Sequence, residues 1–469
     1  MAYAIPFDYQ RLGYHESLDV LHDRLRLGIS PMLESVEDML DELGRPDLTF
    51  ECVQVAGTNG KTSTTRYTAS ILRAHGFATA LYTSPELVDY TERMEVDGAP
   101  VTPELFAQSM SAAIEAGERV NRARRAADER PYDITEFDLL TVAALVAFAL
   151  SDVDVAVLEC GMGGRWDATS AAGSIRSVAV TGIGLDHTRV LGNTLEAIAG
   201  EKAAIIKSHR TCVLGPGVAT PTSVEDVFLD QAAHAGVTPL LLRPATPDDR
   251  AGVMHPGTPA DRDGLPQASY AIRRVPEQLG GSLIVDVTTP RATYEGLSAL
   301  KPIYQAPNIA TAVCLAESYL GRALDADRTF DAVVTCPTPG RFDVRSADPL
   351  VMVDAAHNPQ SIASLLASVR SLEPDVQARP ALLAAVLADK DVEGIVRLLS
   401  PEFPRVYVTQ TSSERALPAP ELARIFQDAG ANVVGTYGTV DEALAALCEE
   451  SFLACGSITL AGEVVARLR

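Results

Sequence analysis

The feature that most constrains this chain is an apolar run at residues 50–56, FECVQVA. It passes directly into Gly57-Thr58-Asn59-Gly60-Lys61-Thr62-Ser63 and then into a helical stretch at 64–74. A strand, a glycine loop ending in Gly-Lys-Thr, and a helix form the context that a phosphate-binding loop requires. Glycines let backbone N–H groups face phosphate oxygens, the lysine supplies positive charge, and a hydroxyl at the helix start can hold Mg2+. The expectation is a nucleoside triphosphate bound with Mg2+. The strict spacing of such loops would place a glycine at 55, where the chain has Val55, so the first glycine is displaced.

The rest of the chain alternates in the same way. Helices are expected at 17–25 and 32–43, a strand at 78–82, helices at 103–122 and 137–150, strands at 153–158 and 177–183, and a helix at 195–207. Strands that alternate with helices imply a parallel sheet covered on both faces. From about 244 to 281, Pro, Gly and Asp predict loops and short irregular strands. A helix returns at 306–320, and TCPTPG at 335–340 reads as a linker because prolines and glycine stop regular structure. Beyond it, strands at 350–353, 381–386, 405–408, 432–434 and 458–460 alternate with helices at 360–372, 392–399, 420–429 and 440–449. The expected fold is α/β, with an N-terminal P-loop domain at 1–338 built on a parallel sheet and a smaller Rossmann-like α/β domain at 339–469.

Composition narrows the partners. The chain has 469 residues, 47% of them hydrophobic, enough for large cores and not for a disordered protein. Its 39 basic and 62 acidic residues give a net charge of −23, which argues against nonspecific binding to nucleic acid or an anionic membrane. A local positive pocket inside an acidic shell stays open. The longest apolar stretch, 139–150, is roughly a dozen residues where a membrane span needs about 20. Residues 1–11 carry Asp8 and no apolar core, so no signal peptide is expected. Seven cysteines without a CxxC pair suggest reduced thiols in the cytoplasm and no zinc site.

Three further residues carry chemistry. Glu159 ends a strand just before Gly161, Gly163 and Gly164, where ligands of open parallel sheets sit, and a carboxylate there suits Mg2+. His187, in Asp186-His187-Thr188, also follows a strand end; it either joins that site or serves as a structural hydrogen-bonder. Asn193 and Glu196 fit a capping box for a helix that places Leu195, Ile198, Ala199, Lys202, Ile205 and Ile206 on one face. Lys202 therefore lies in an apolar stripe. It either snorkels to solvent or is held for chemistry, since burial lowers an amine's pKa and a neutral amine can take up carbon dioxide as a carbamate.

GTNGKTST, TSPELVDYTERM, ITEFDLLTVAA, ECGMGGRWDATS, DHTRVLGNTLEAIAGEKAAIIK, TPGRFDV and DAAHNPQS, in this order, resemble the folylpolyglutamate synthase/dihydrofolate synthase family of ATP-dependent Mur-type amide ligases. The resemblance runs from about Leu21 to the C-terminus and is weakest between 240 and 290. It implies a Mur-ligase-type N-terminal domain, a C-terminal glutamate-ligase domain, ATP, two Mg2+ ions and a carbamylated Lys202. Metal ligands then fall on Ser63 or Thr62, Glu159 and His187. Nucleotide contacts fall on the loop from Gly57 to Ser63, and on Asn308, Arg341, Asp354 and His357. The same resemblance places Ser84, Pro85, Arg93, Glu136 and Lys390 on the substrate side and assigns Lys61, Lys202 and His187 to catalysis. The bland reading of Asp354 and His357 is a strand-end turn with Asn358-Pro359.

Three departures stand out. Thr62 replaces a glycine of the family loop, Glu86 replaces a histidine in TSPHL, and Ser170 replaces an asparagine in DATN; the last two are expected in substrate-side loops. The implied reaction joins L-glutamate to dihydropteroate or a folate through an acyl phosphate, in a monomer with no nucleic-acid or membrane partner. The alternatives are a Mur-type ligase with a non-folate acceptor and a P-loop regulatory ATPase.

Overall fold

The computed structural model describes residues 3–25, 32–250, 253, 255 and 257–468. Within the stretch read as irregular, Ala251, Gly252, Met254 and Pro256 lie outside the described residues. The chain divides into two compact units. The first comprises Met1–Ala271, Asp286–Leu297 and Pro307–Cys336, and the second Ile272–Val285, Ser298–Ala306 and Pro337–Arg469.

The first sheet is built from β1 (Glu51–Ala56), β2 (Thr79–Tyr82), β3 (Met94–Val96), β4 (Ala99–Pro100), β5 (Val155–Glu159), β6 (Ile175–Gly182), β7 (Thr211–Gly217), β8 (Leu240–Pro244), β9 (Gln267–Arg274), β10 (Leu283–Thr288) and β11 (Thr293–Ala299). Among the described residues its order is β11-β10-β9-β8-β7-β6-β1-β5-β2-β3-β4. β1 pairs in parallel with β5 and β6, and β5 with β2. These strands are nearly continuous apolar runs because helices cover both faces; Val53, Val55, Ala156, Val157, Val178 and Val180 are all buried. The helix Glu136–Leu150 is apolar all round and buried over most of its length, as expected of a helix inside a core. The parallel register aligns the C-terminal ends of β6, β1, β5 and β2 along one edge. The phosphate loop, Glu159, Ser84 and the segment leading to His187 all emerge there.

The second unit holds β12 (Asp343–Ala347), β13 (Leu350–Val353), β14 (Ala381–Ala384), β15 (Val406–Val408), β16 (Val433–Thr436) and β17 (Phe452–Cys455), in the order β12-β13-β17-β14-β15-β16. Only β12 runs antiparallel to its neighbour. Its core joins Met352, Leu382, Val406 and Leu453 to Ile362, Leu366 and Phe426 of the flanking helices.

Several expectations change. The strand expected at 458–460 is the start of the helix Ile458–Arg467, whose cap Ser457 accepts the Leu460 N–H; the strand is β17, just before it. The stretch 244–281 contains β9, a regular strand of eight residues. The Lys202 helix spans Leu195–Ala203, and its cap is Thr194, which accepts the Ala197 N–H, not Asn193. It stops short of 207 because the Ile205 and Ile206 amides bond three residues back, to Lys202 and Ala203, and tighten the chain into a turn.

Candidate active site

The phosphate loop is shaped by close approach. A Cβ on Gly57 would lie 1.9 Å from Thr181 Oγ1, and one on Gly60 2.3 Å from Asn308 Oδ1; glycine is required at both. Gly60, at φ +83°, opens the helix Lys61–Ala74 with no side-chain cap and no acid in its first turn. A helix start of this kind suits an anion through its N–H groups and dipole. Lys61 Nζ donates to the carbonyls of Gly57 (3.1 Å) and Thr58 (3.2 Å). Thr62 Oγ1 donates to Glu159 Oε1 at 2.9 Å, so the helix start and the end of β5 meet. Ser63 and Glu159 are buried beside them.

Lys202 does not snorkel. It is 4% exposed, and Nζ donates to Gly57 O at 2.8 Å. Two lysines therefore converge on one carbonyl. Burial first, and the nearby Lys61 charge second, push the Lys202 amine down to about 7. The glycine-rich loop after β5 makes this packing possible, since a Cβ on Gly164 would lie 3.1 Å from Glu201 O and 3.2 Å from Lys202 O.

Ser170 is a buried brace. Its Oγ donates to Gly164 O at 2.6 Å and accepts from Gln54 Nε2 at 2.9 Å. Asp167 accepts the Met162 N–H at 2.8 Å and the Thr169 hydroxyl at 2.5 Å, which fixes the same loop. The Ser170 departure is thus absorbed by packing.

At the end of β6, Thr58 meets the strand. Its N–H donates to Gly182 O at 2.8 Å, and its hydroxyl bonds Gly184. The Asn59 carbonyl accepts from Thr181 Oγ1 at 2.6 Å. Sequence reading missed Thr181; its signal is one polar residue in the apolar strand VAVTG. His187 is exposed, at φ +48°, and its Nε2 lies 3.6 Å from Asp186 Oδ2. No group of three His, Cys, Asp or Glu side chains among the described residues could hold a metal ion. The expected set of a hydroxyl, Glu159 and His187 contains only two residues of those types.

On the other side of β5, Ser84 and Pro85 follow β2. Arg93, 5% exposed, bonds Glu136 Oε1 at 2.8 Å and Glu86 Oε2 at 3.4 Å, with Tyr90 and Phe137 each 5.8 Å from its guanidinium. Burial pushes the Glu136 carboxyl up while Arg93 pulls it down. Phe137 presses on the glycine loop, since a Cβ on Gly161 would lie 2.6 Å from its ring. The Glu86 departure therefore belongs to an ion-pair cluster.

In the second unit, Asp354 accepts the N–H groups of Phe342 (2.8 Å) and Ala356 (2.9 Å), as the strand-end turn predicts. His357 Nδ1 lies 2.8 Å from Ala355 O, and Asn358 caps the helix Pro359–Leu372. Arg341 Nη1 donates to Gly340 O; burial raises the Asp354 carboxyl, opposed by the Phe342 N–H and then by the Arg341 charge. Lys390 precedes Asp391, the cap of the helix Val392–Leu399.

The variant phosphate loop with a buried lysine on its carbonyl, and the second α/β unit further along the chain, lie in segments that resemble the domains of Mur ligases. The Mur ligase middle domain matches residues 55–215, and the Mur ligase glutamate ligase domain matches residues 340–458. The dihydrofolate synthase/folylpolyglutamate synthase of Mycobacterium tuberculosis is 32% identical over 84% of this chain and 77% of its own. A probable bifunctional folylpolyglutamate synthase/dihydropteroate synthase of Halobacterium salinarum is 34% identical over 97% of this chain. The chain spans about half (52%) of that relative's length. Mycobacterium tuberculosis folylpolyglutamate synthase, solved with ADP and AMPPCP, aligns with a TM-score of 0.78 at 27% identity over 97% of this chain and 99% of that one. The chain belongs to the folylpolyglutamate synthase/dihydrofolate synthase family.

Proposed function

We propose that the chain is an ATP-dependent ligase joining L-glutamate to dihydropteroate, to (poly)glutamyl folate, or to both. The observation that carries the reading is the convergence of Lys61 and buried Lys202 on the Gly57 carbonyl, in a chain of this family. ATP passes its γ-phosphoryl group to the acceptor carboxylate, giving an acyl phosphate and ADP. The glutamate amine attacks the acyl carbon, and phosphate leaves with the former carboxylate oxygen. Lys61 leaves its own loop carbonyls to neutralise charge on the moving phosphoryl group. The loop from Gly57 to Ser63 and Asn308 line the nucleotide, and the family resemblance adds Arg341, Asp354 and His357 as further nucleotide contacts. We assign ATP binding to residues 1–338 and glutamate ligation, with Lys390, to residues 339–469.

Thr62 or Ser63, Glu159 and His187 would hold Mg2+, which supplies charge neutralisation between phosphate oxygens when bound. Lys202, nearly half neutral at neutral pH, attacks carbon dioxide through Nζ and releases one proton. The resulting carbamate turns a cation into an anion that suits a second Mg2+. Ser84, Pro85, Arg93 and Glu136 line the acceptor side. A relative that also carries dihydropteroate synthase supports dihydropteroate as an acceptor. A cytoplasmic location is supported by seven free cysteines, and the monomer rests on the family resemblance alone.

The test is ADP release with dihydropteroate or a monoglutamyl reduced folate, with and without L-glutamate. Release that requires both acceptor and glutamate is expected. Release indifferent to glutamate would make the chain a P-loop ATPase and overturn the reading.

A further inference from the structure

The end of β6 grips the phosphate loop at three successive residues. Thr181 Oγ1 fills the space that a side chain at Gly57 would need. The Thr58 N–H extends the sheet to Gly182 O at 2.8 Å. Thr58 Oγ1 accepts the Gly184 N–H at 3.0 Å and donates to Gly184 O at 3.2 Å, a reciprocal pair across 126 positions of sequence. Thr181 Oγ1 donates to Asn59 O at 2.6 Å. Both threonines are buried, at 6% and 7% exposure.

Buried hydroxyls with satisfied partners fix the groups they bond, because breaking them leaves polar atoms without water. Gly184 is two residues before Asp186 and three before His187. The Thr58 hydroxyl therefore ties the loop to the segment that carries His187. Catalytic groups must be held to about half an ångström by such supports.

We propose that Thr58 and Thr181 are positioning residues that form a clasp: they set the conformation of the phosphate loop and lock it to the His187 segment, so nucleotide and His187 are placed together. This rests on the ligase reading above. Neither threonine touches nucleotide through its side chain; each acts through the carbonyls and amides it holds.

Thr58→Val keeps the shape and removes the hydroxyl, while Thr58→Ser keeps the hydroxyl. ADP binding by calorimetry should weaken about tenfold in Thr58→Val, the size that one lost buried hydrogen bond carries, and return close to wild type in Thr58→Ser. Thr181→Val and Thr181→Ser should repeat the pattern, and they carry the test if Thr58→Val does not fold. In a double-mutant cycle on kcat, Thr58→Val should cost less in a His187→Ala background than in wild type, because the group it places is gone. Unchanged ADP affinity in a folded Thr58→Val protein, or kcat effects that simply multiply, would overturn the clasp alone. A wild-type protein that binds no ADP would overturn the ligase reading and the clasp with it.

Discussion

Lys202 shows how much one residue's surroundings decide. An amine at pKa 10.5 is neutral in about one molecule in three thousand at pH 7; at about 7 it is neutral in half of them. Only the neutral form adds carbon dioxide, so burial favours the proposed carbamate at neutral pH. Lys202→Ala should lower ligase activity by about a hundredfold or more, with partial recovery on adding short carboxylic acids. Activity that survives without rescue would remove the carbamate role. The depressed pKa also has a stability sign. Between about pH 7 and 10.5 the folded protein binds fewer protons at this site than the unfolded chain, so stability rises with pH across that window. In carbon-dioxide-free buffer, Lys202→Met should therefore be more stable than wild type near pH 7, and the gap in Tm should shrink toward pH 10. The apolar stripe made Lys202 legible in the sequence. Gly57 O as an acceptor shared with Lys61 was not, because no spacing records which backbone carbonyl faces which strand.

At the scale of elements, the strand, loop and helix around the phosphate site were legible, because glycines and a Gly-Lys-Thr sequence have few other uses at a strand end. Their supports were not. Gly57→Ala drives a methyl into Thr181 and should cost about 1–3 kcal/mol in urea unfolding. Adding Thr181→Ala should recover part of that stability without recovering ADP affinity, because the clasp is then gone. Cap assignment failed by one residue at the Lys202 helix: Asn193 and Glu196 fit the pattern, yet Thr194 bonds the Ala197 N–H. Thr194→Ala should cost about 1 kcal/mol, while Asn193→Ala should stay within about 0.5 kcal/mol of wild type. Ile458-Thr459-Leu460 misled for a related reason. β-Branched residues favour strands locally, but Ser457 and packing against the second core decide for a helix.

For the molecule as a whole, the α/β class and the two Mur-type matches were readable from alternation and motif order. The stretch from 244 to 281 was not, since Pro, Gly and Asp hide β9, which is set by pairing with β8. The charge of −23 describes the shell. ATP, glutamate and a pteroate acid, the proposed substrates, are all anions, and in the proposed reaction the nucleotide is met locally by Lys61 and the helix start of the loop. The central claim is that a carboxylate of the acceptor is activated by phosphorylation. Dihydropteroate labelled with 18O in its carboxylate tests this most directly, with the released phosphate read by mass spectrometry. One 18O per phosphate, formed with ADP and only when glutamate is present to complete turnover, is the predicted result. Unlabelled phosphate with the amide product, or AMP in place of ADP, would contradict it.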